Sequence, residues 1–302
     1  MRSNAHIHWL SFMAVALLGL AARAQTFPAE SSWVPLRCGS EVMTDPYRDE
    51  SGAVGERDLI GDANAATGFR AADAQYLYLR MRVDQDPIPG GNARPFAWGL
   101  LLDLDGNLQT YEVLLLVDGI SGVVSIYRNS STTILNDPTD PPDATPVKTY
   151  SLASNARTVM ASGSSYGGNA DYFLDVAIPW QDLQLVGLTP STPVTAWLAT
   201  SSTSTTLNGD FACWDDSTGD PTLSRTAGGT TVLDPAVDSD GDGYSDVVEY
   251  AAGTDPKNPA SRPLQLAGGG GCNTAGGVSL VAFLLVALAL VVRHRRAIAA
   301  RG

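Results

Sequence analysis

Five carboxylates fall within twelve residues at Asp238-Ser-Asp240-Gly-Asp242-Gly-Tyr244-Ser-Asp246-Val-Val-Glu249. They occupy positions 1, 3, 5, 9 and 12 of a calcium-binding loop, with Gly243 at position 6, where the chain must turn sharply. On that spacing Asp238, Asp240 and Asp242 each offer one oxygen, and Tyr244 offers its backbone carbonyl. Asp246 contributes directly or through a water, and Glu249 closes the site with two oxygens. A solvated acidic turn is the alternative. Against it stands repulsion: carboxylates this close disfavour one another's charge unless a cation lies among them.

The residues after the loop strengthen the calcium reading. Residues 247–251 suit a short helix ended by Gly253, whose type favours the left-handed cap position. The loop, this helix, Gly253-Thr-Asp255-Pro256 and Asn258-Pro259 together resemble the thrombospondin type 3 calcium repeat of bacterial surface proteins. The resemblance implies Ca2+ as ligand and a fold-back of Asp255 toward the ion. There is one repeat, and residues 232–237 read as extended rather than helical. The expectation is therefore a structural ion that stiffens a stalk over residues 236–258, not a paired sensor.

Both ends of the sequence read as targeting segments. Residues 1–24 combine Arg2, an apolar run and Ala22-Arg23-Ala24, the pattern of a cleaved secretory signal. A Pro/Gly-rich linker, 259–271, precedes Cys272 and an apolar stretch, 272–292, long enough to span a bilayer as a helix. Arg293, Arg295, Arg296 and Arg301 then make 293–302 a basic cytoplasmic tail. The Gly-rich run, single cysteine, Gly276-Gly277, apolar helix and arginine cluster are similar to the C-terminal sorting tail of myxobacterial surface proteins, the MYXO-CTERM type. That resemblance implies a sorting protease acting near Cys272 and display at the cell surface, C-terminally anchored in the envelope membrane.

Between the ends the chain is strongly acidic. Whole-chain net charge is −13, and six of the basic residues sit in the terminal segments. Such a surface repels nucleic acid. The three histidines, His6, His8 and His294, also lie in the ends. Histidine bases, His-based triads and imidazole metal sites are thereby removed from the body. Cys38 and Cys213 remain there; in an oxidising compartment an even pair predicts one disulfide, with two separate buried thiols as the alternative.

Residues 25–235 read as an all-β body, a β-sandwich of short strands broken by Gly, Pro, Asp and Ser clusters. Residues 76–83 alternate, with Leu77, Leu79, Met81 and Val83 on one face and Tyr76, Tyr78, Arg80 and Arg82 on the other. Residues 98–104 and 111–117 are apolar nearly throughout, as in central strands covered on both faces. Strands are also expected at 123–127, 158–161, 172–178 and 194–200, with one helical turn at 179–183. The runs 74–80, 102–107 and 174–180 are similar to those of secreted DOMON and carbohydrate-binding family 9-like modules. The resemblance implies a fold and a ligand-binding habit; haem is not expected without histidine.

Two readings of the Tyr76/Tyr78/Arg80/Arg82 stripe stay open. It is either a ligand face, with aromatics for sugar rings and arginines for carboxylates or hydroxyls, or a second packed face whose arginines pair with Asp103, Glu112 or Asp175. The step Asp103–Asn107 reads as a turn, with a second cation as the alternative, and 129–148 as a long exposed loop. No sequence signal pairs two carboxylates for catalysis, so the chain is not expected to be an enzyme. The leading expectation is a non-catalytic binding or adhesion module for a glycan or envelope partner. A purely structural envelope protein and a carboxylate-based glycan hydrolase are the alternatives.

Overall fold

The computed structural model describes residues 25–50, 52–203, 205–226 and 228–264. The expected signal segment, Cys272, the membrane span and the basic tail lie outside the described residues. Among those described, no helix is long and apolar enough to cross a membrane.

Among the described residues, twelve strands are joined by loops and four short α-helices. The strands are β1 (Val34–Pro35), β2 (Arg37–Cys38), β3 (Glu41–Val42), β4 (Gly68–Ala72), β5 (Tyr76–Val83) and β6 (Ala97–Asp103), then β7 (Val113–Asp118), β8 (Val123–Arg128), β9 (Lys148–Ser151), β10 (Ala156–Met160), β11 (Tyr172–Pro179) and β12 (Thr195–Ser201). The helices are α1 (Leu152–Asn155), α2 (Trp180–Leu183), α3 (Leu223–Thr226) and α4 (Asp246–Ala252). The chain is all-β, and its longest described helix has 7 residues.

Two five-stranded antiparallel sheets hold the body, in the orders β1-β4-β5-β11-β10 and β12-β6-β7-β8-β9; β2 and β3 form a small hairpin apart. Register follows the apolar pattern. Leu77, Leu79 and Met81 of β5 stand opposite Ile178, Val176 and Leu174 of β11. In the second sheet Trp98, Leu100 and Leu102 stand opposite Val117, Leu115 and Val113. All of these side chains meet in one buried cluster, so the sheets pack face to face across a shared core. Each such side chain fully buried contributes about 1.5–3 kcal/mol.

Each sheet is also covered on its outer face, which explains the continuous apolar runs of β6 and β7. Ala97, Leu101, Leu114, Leu116 and Trp197 point away from the shared core and pack beneath Leu207, Phe211 and Leu223. On the other sheet Tyr78, Ala71 and Ala177 pack against Trp33 and Phe27 from the N-terminal segment. Strands whose faces are both buried need no polar alternation. Trp33, Trp98, Trp180 and Trp197 are buried, in keeping with a packing role. Trp214 is partly exposed, with the Arg225 guanidinium 4.6 Å over its ring.

The expected disulfide is present. Cys38 and Cys213 are bonded, with Cα atoms 5.7 Å apart across a sequence separation of 175. The Cys213 amide also donates to the Thr44 carbonyl at 2.9 Å, fixing the same junction. Closing so long a loop restricts the unfolded chain and contributes about 2–4 kcal/mol. Replacing both cysteines by serine should lower unfolding free energy by about that amount. Denaturant melts of the two proteins check it, and equal midpoints would remove the disulfide from the stability account.

Candidate cation loop and the buried arginine stripe

The loop at 238–249 is built from nested turns. Asp238 accepts from the amides of Gly241 (2.8 Å) and Gly243 (3.0 Å) through its two oxygens. Asp240 Oδ1 accepts from the Asp242 amide at 3.1 Å, and Asp242 Oδ1 from the Tyr244 amide at 2.9 Å. Gly243 sits at φ 96°, in the left-handed region that side chains with a Cβ rarely adopt. The loop closes where the Asp246 amide donates to the Val237 carbonyl at 2.8 Å and α4 begins. Gly253, at φ 73°, ends α4 as expected.

This arrangement leaves one oxygen on each of three carboxylates without a donor. Asp240 Oδ2, Asp242 Oδ2 and Glu249 Oε2 are buried and accept no hydrogen bond. Asp238, Asp240 and Asp242 each present an oxygen, all within 4.8 Å of one another. Burial raises the Glu249 carboxyl above its usual range, and the charges of Asp240 and Asp242 add to the rise. The donor set is all oxygen, which suits a hard divalent cation.

Asp246 is used differently from the spacing-based expectation. Its two oxygens accept from the Ser239 amide (2.7 Å) and the Ser239 hydroxyl (2.6 Å), locking loop to helix. Asp255 does not reach back to the loop by hydrogen bonding: its carboxylate accepts from the Lys257 amide at 3.0 Å. The nearest cation is Arg262, whose Nε lies 3.2 Å from Asp242 Oδ2, outside hydrogen-bonding geometry.

Residues 238–259 match the bacterial TSP3 repeat, a repeat of calcium-binding type. The match covers this segment and leaves the body unassigned. No curated protein and no solved structure matches the chain.

The Tyr76/Tyr78/Arg80/Arg82 stripe is not an open ligand face. Tyr78, Arg80 and Arg82 are 1%, 2% and 6% exposed: the N-terminal segment lies across Tyr78 and Arg80, and Arg82 lies against the Phe173 ring. The Arg80 guanidinium is clamped between the Trp33 and Phe173 rings, each 4.2 Å away. It pairs with Asp175 at 2.6 Å and with Glu30 at 2.6 Å. Asp175 also receives Arg157 at 2.9 Å. Arg82 Nε donates to the Ala66 carbonyl at 3.1 Å, and the Tyr78 hydroxyl donates to Asp73 at 2.8 Å. The stripe is a second packed face, and of the pairings considered from sequence the one with Asp175 is realised.

The Asp103–Asn107 step is a satisfied turn. Asp103 Oδ1 accepts from the Asp105 and Gly106 amides, and Glu112 accepts from the Leu104 amide at 2.7 Å. The segment 129–148 is organised around Asp140, which is buried and accepts from Asn129, Thr133 and the Ile134 amide.

Sequence reasoning missed a second group of carboxylates: Asp45, Asp49, Glu50, Asp58 and Asp210. They share no local spacing, so no motif displays them. One indirect signal existed, since a Cys38–Cys213 bridge places the residues near 45 beside those near 210.

Two outcomes follow. Glu249→Gln should weaken calcium binding at the loop at least tenfold, about 1.4 kcal/mol, in calorimetric titration of the full chain; unchanged affinity would remove Glu249 from the site. Arg80→Met strips Asp175 and Glu30 of their shared partner and should cost about 3–5 kcal/mol of stability in denaturant melts, an estimate for breaking a buried pair that the remaining Arg157 contact moves toward its lower end.

Proposed function

We propose that this chain is an exported, surface-displayed binding or adhesion module, calcium-stabilised and non-catalytic, whose partner is a glycan or another envelope component. The observation that carries the reading is a cleft of about 570 Å³ on the body. One side is lined by Asp137, Pro138 and Thr139 of the 129–148 loop, the other by Asn208, Asp220 and Pro221. Carboxylates, an amide and a hydroxyl suit a hydroxyl-rich ligand, since all can accept or exchange hydrogen bonds with sugar hydroxyls. Loop residues on a rigid two-sheet scaffold are a common way to build such a site.

Location is supported by several independent features. A disulfide favours an oxidising compartment. The TSP3-type loop favours one rich in calcium, so Ca2+ is the ion proposed for Asp238, Asp240, Asp242, the Tyr244 carbonyl and Glu249. The sequence of 1–24 supports export, and that of 272–302 supports a sorted, membrane-held C-terminus processed near Cys272. The likeness of the strand runs to DOMON and carbohydrate-binding family 9-like modules agrees with a ligand-binding habit.

A hydrolase is the second reading, and one observation favours it. Asp216 lines the same cleft, and burial followed by the nearby charges of Asp49 and Glu50 pushes its carboxyl up to about 7. A carboxyl protonated near neutrality is what a glycosidase acid requires.

A glycan array on the full chain separates these readings. Binding that Asn208→Ala with Asp220→Ala weakens at least tenfold, about 1.4 kcal/mol, supports the cleft as the recognition site. Turnover of labelled polysaccharide abolished by Asp216→Asn would support the hydrolase. A chain that neither binds nor cleaves any polysaccharide would return the protein to a structural envelope role.

A further inference from the structure

A buried group of carboxylates lies beside the cleft, which Glu50 and Asp210 also line, where the segment at residues 45–58 meets residue 210. Asp45, Asp49 and Asp210 each present an oxygen, all within 4.8 Å of one another, and Asp49, Glu50 and Asp58 form a second such group. Asp45, Asp58 and Asp210 are at most 1% exposed, and Glu50 is 5% exposed. Both oxygens of Asp45 and of Glu50 are buried with no hydrogen-bond donor; so are Asp49 Oδ1, Asp58 Oδ2 and Asp210 Oδ1. The remaining oxygens are turned outward to amides: Asp49 Oδ2 to Asp216, Asp58 Oδ1 to Arg48 and Asp210 Oδ2 to Leu59.

Buried carboxylate oxygens in native proteins are hydrogen-bonded or bound to a cation. Here amides fix Asp49, Asp58 and Asp210 from behind, and the free oxygens lie close to one another. Among the described residues no lysine or arginine forms an ion pair with these carboxylates. Arg57 moderates Glu50 from a distance and leaves its own Nε without a partner. The contrast with Asp103, Asp105 and Glu112 is informative, because that group meets its needs with backbone amides and a threonine hydroxyl.

We propose that Asp45, Asp49, Glu50, Asp58 and Asp210 form a second calcium site, independent of the TSP3-type loop, that ties the 45–58 segment to the 210 segment. The donor set is all carboxylate oxygen, preorganised and dense, and calcium takes six to eight oxygens of this kind. Magnesium is disfavoured, since it holds its waters and an octahedral shell that crowded carboxylates do not supply. The site joins the same two regions as the Cys38–Cys213 disulfide and so acts as a second long-range cross-link. Glu50 and Asp210 of this site also line the cleft, and calcium binding is read here without any glycan present.

The test is calorimetric titration of the chelator-treated full chain with calcium chloride. In a variant whose TSP3-type loop is disabled by Asp240→Asn, Asp242→Asn and Glu249→Gln, about one equivalent of calcium should still bind, and calcium should still raise its melting temperature. Adding Asp45→Asn and Asp210→Asn should abolish both responses. If that protein does not fold, Glu50→Gln in the loop-disabled background is the second variant, and it should weaken the residual calcium at least tenfold. A folded loop-disabled chain that binds no calcium at millimolar concentration, or residual binding untouched by Glu50→Gln and by the Asp45/Asp210 pair, would overturn the proposal.

Discussion

The central strands of both sheets bury both of their faces, and most of the protein's other features follow from that constraint. A two-sheet body normally leaves its outer faces to water. Here the N-terminal segment lies over one sheet through Phe27 and Trp33, and residues 207–223 lie over the other through Leu207, Phe211 and Leu223. Neither segment is a long strand held by its own ladder. Both must be fastened, and the fastenings join residues far apart in sequence: Arg80 to Glu30, and Cys38 to Cys213.

The electrostatics follow from the same covering. An arginine on the outer face of an uncovered sheet would be hydrated. Under the N-terminal segment, Arg80 loses water and needs Asp175, Glu30 and two aromatic rings in its place. The acidic residues near 45–58 and 210 are likewise drawn under the surface where those two segments meet. Their free oxygens are the counterpart of the Arg80 arrangement with the cation left to solution. The protein's negative charge is thus of two kinds: solvated acids, and acids enclosed where distant segments meet.

The TSP3-type loop depends on none of this long-range packing. Its turns are closed by amides two to five residues away, so its geometry is local, and local geometry leaves a trace in spacing. The same logic explains why β5 and the apolar strands β6 and β7 are legible from their residues. It also explains why β9 was not: Lys148-Thr-Tyr-Ser151 is an edge strand without apolar alternation, placed by pairing with β8.

The sequence by itself determined what short-range chemistry determines. It specified an all-β body, the alternation that aims Leu77, Leu79 and Met81 at the core, the cation loop with its glycine at position 6, and the cysteine pair. Tertiary structure decided which surfaces are surfaces. The tyrosine–arginine stripe has the same residue types whether it faces water or Trp33, and only the path of the N-terminal segment makes it a buried wall. Asp45 and Asp210 become neighbours only when the 45–58 segment and the segment at 210 come together. Such relations arise from contacts between distant parts of the chain, and a pattern read along the chain carries no record of them.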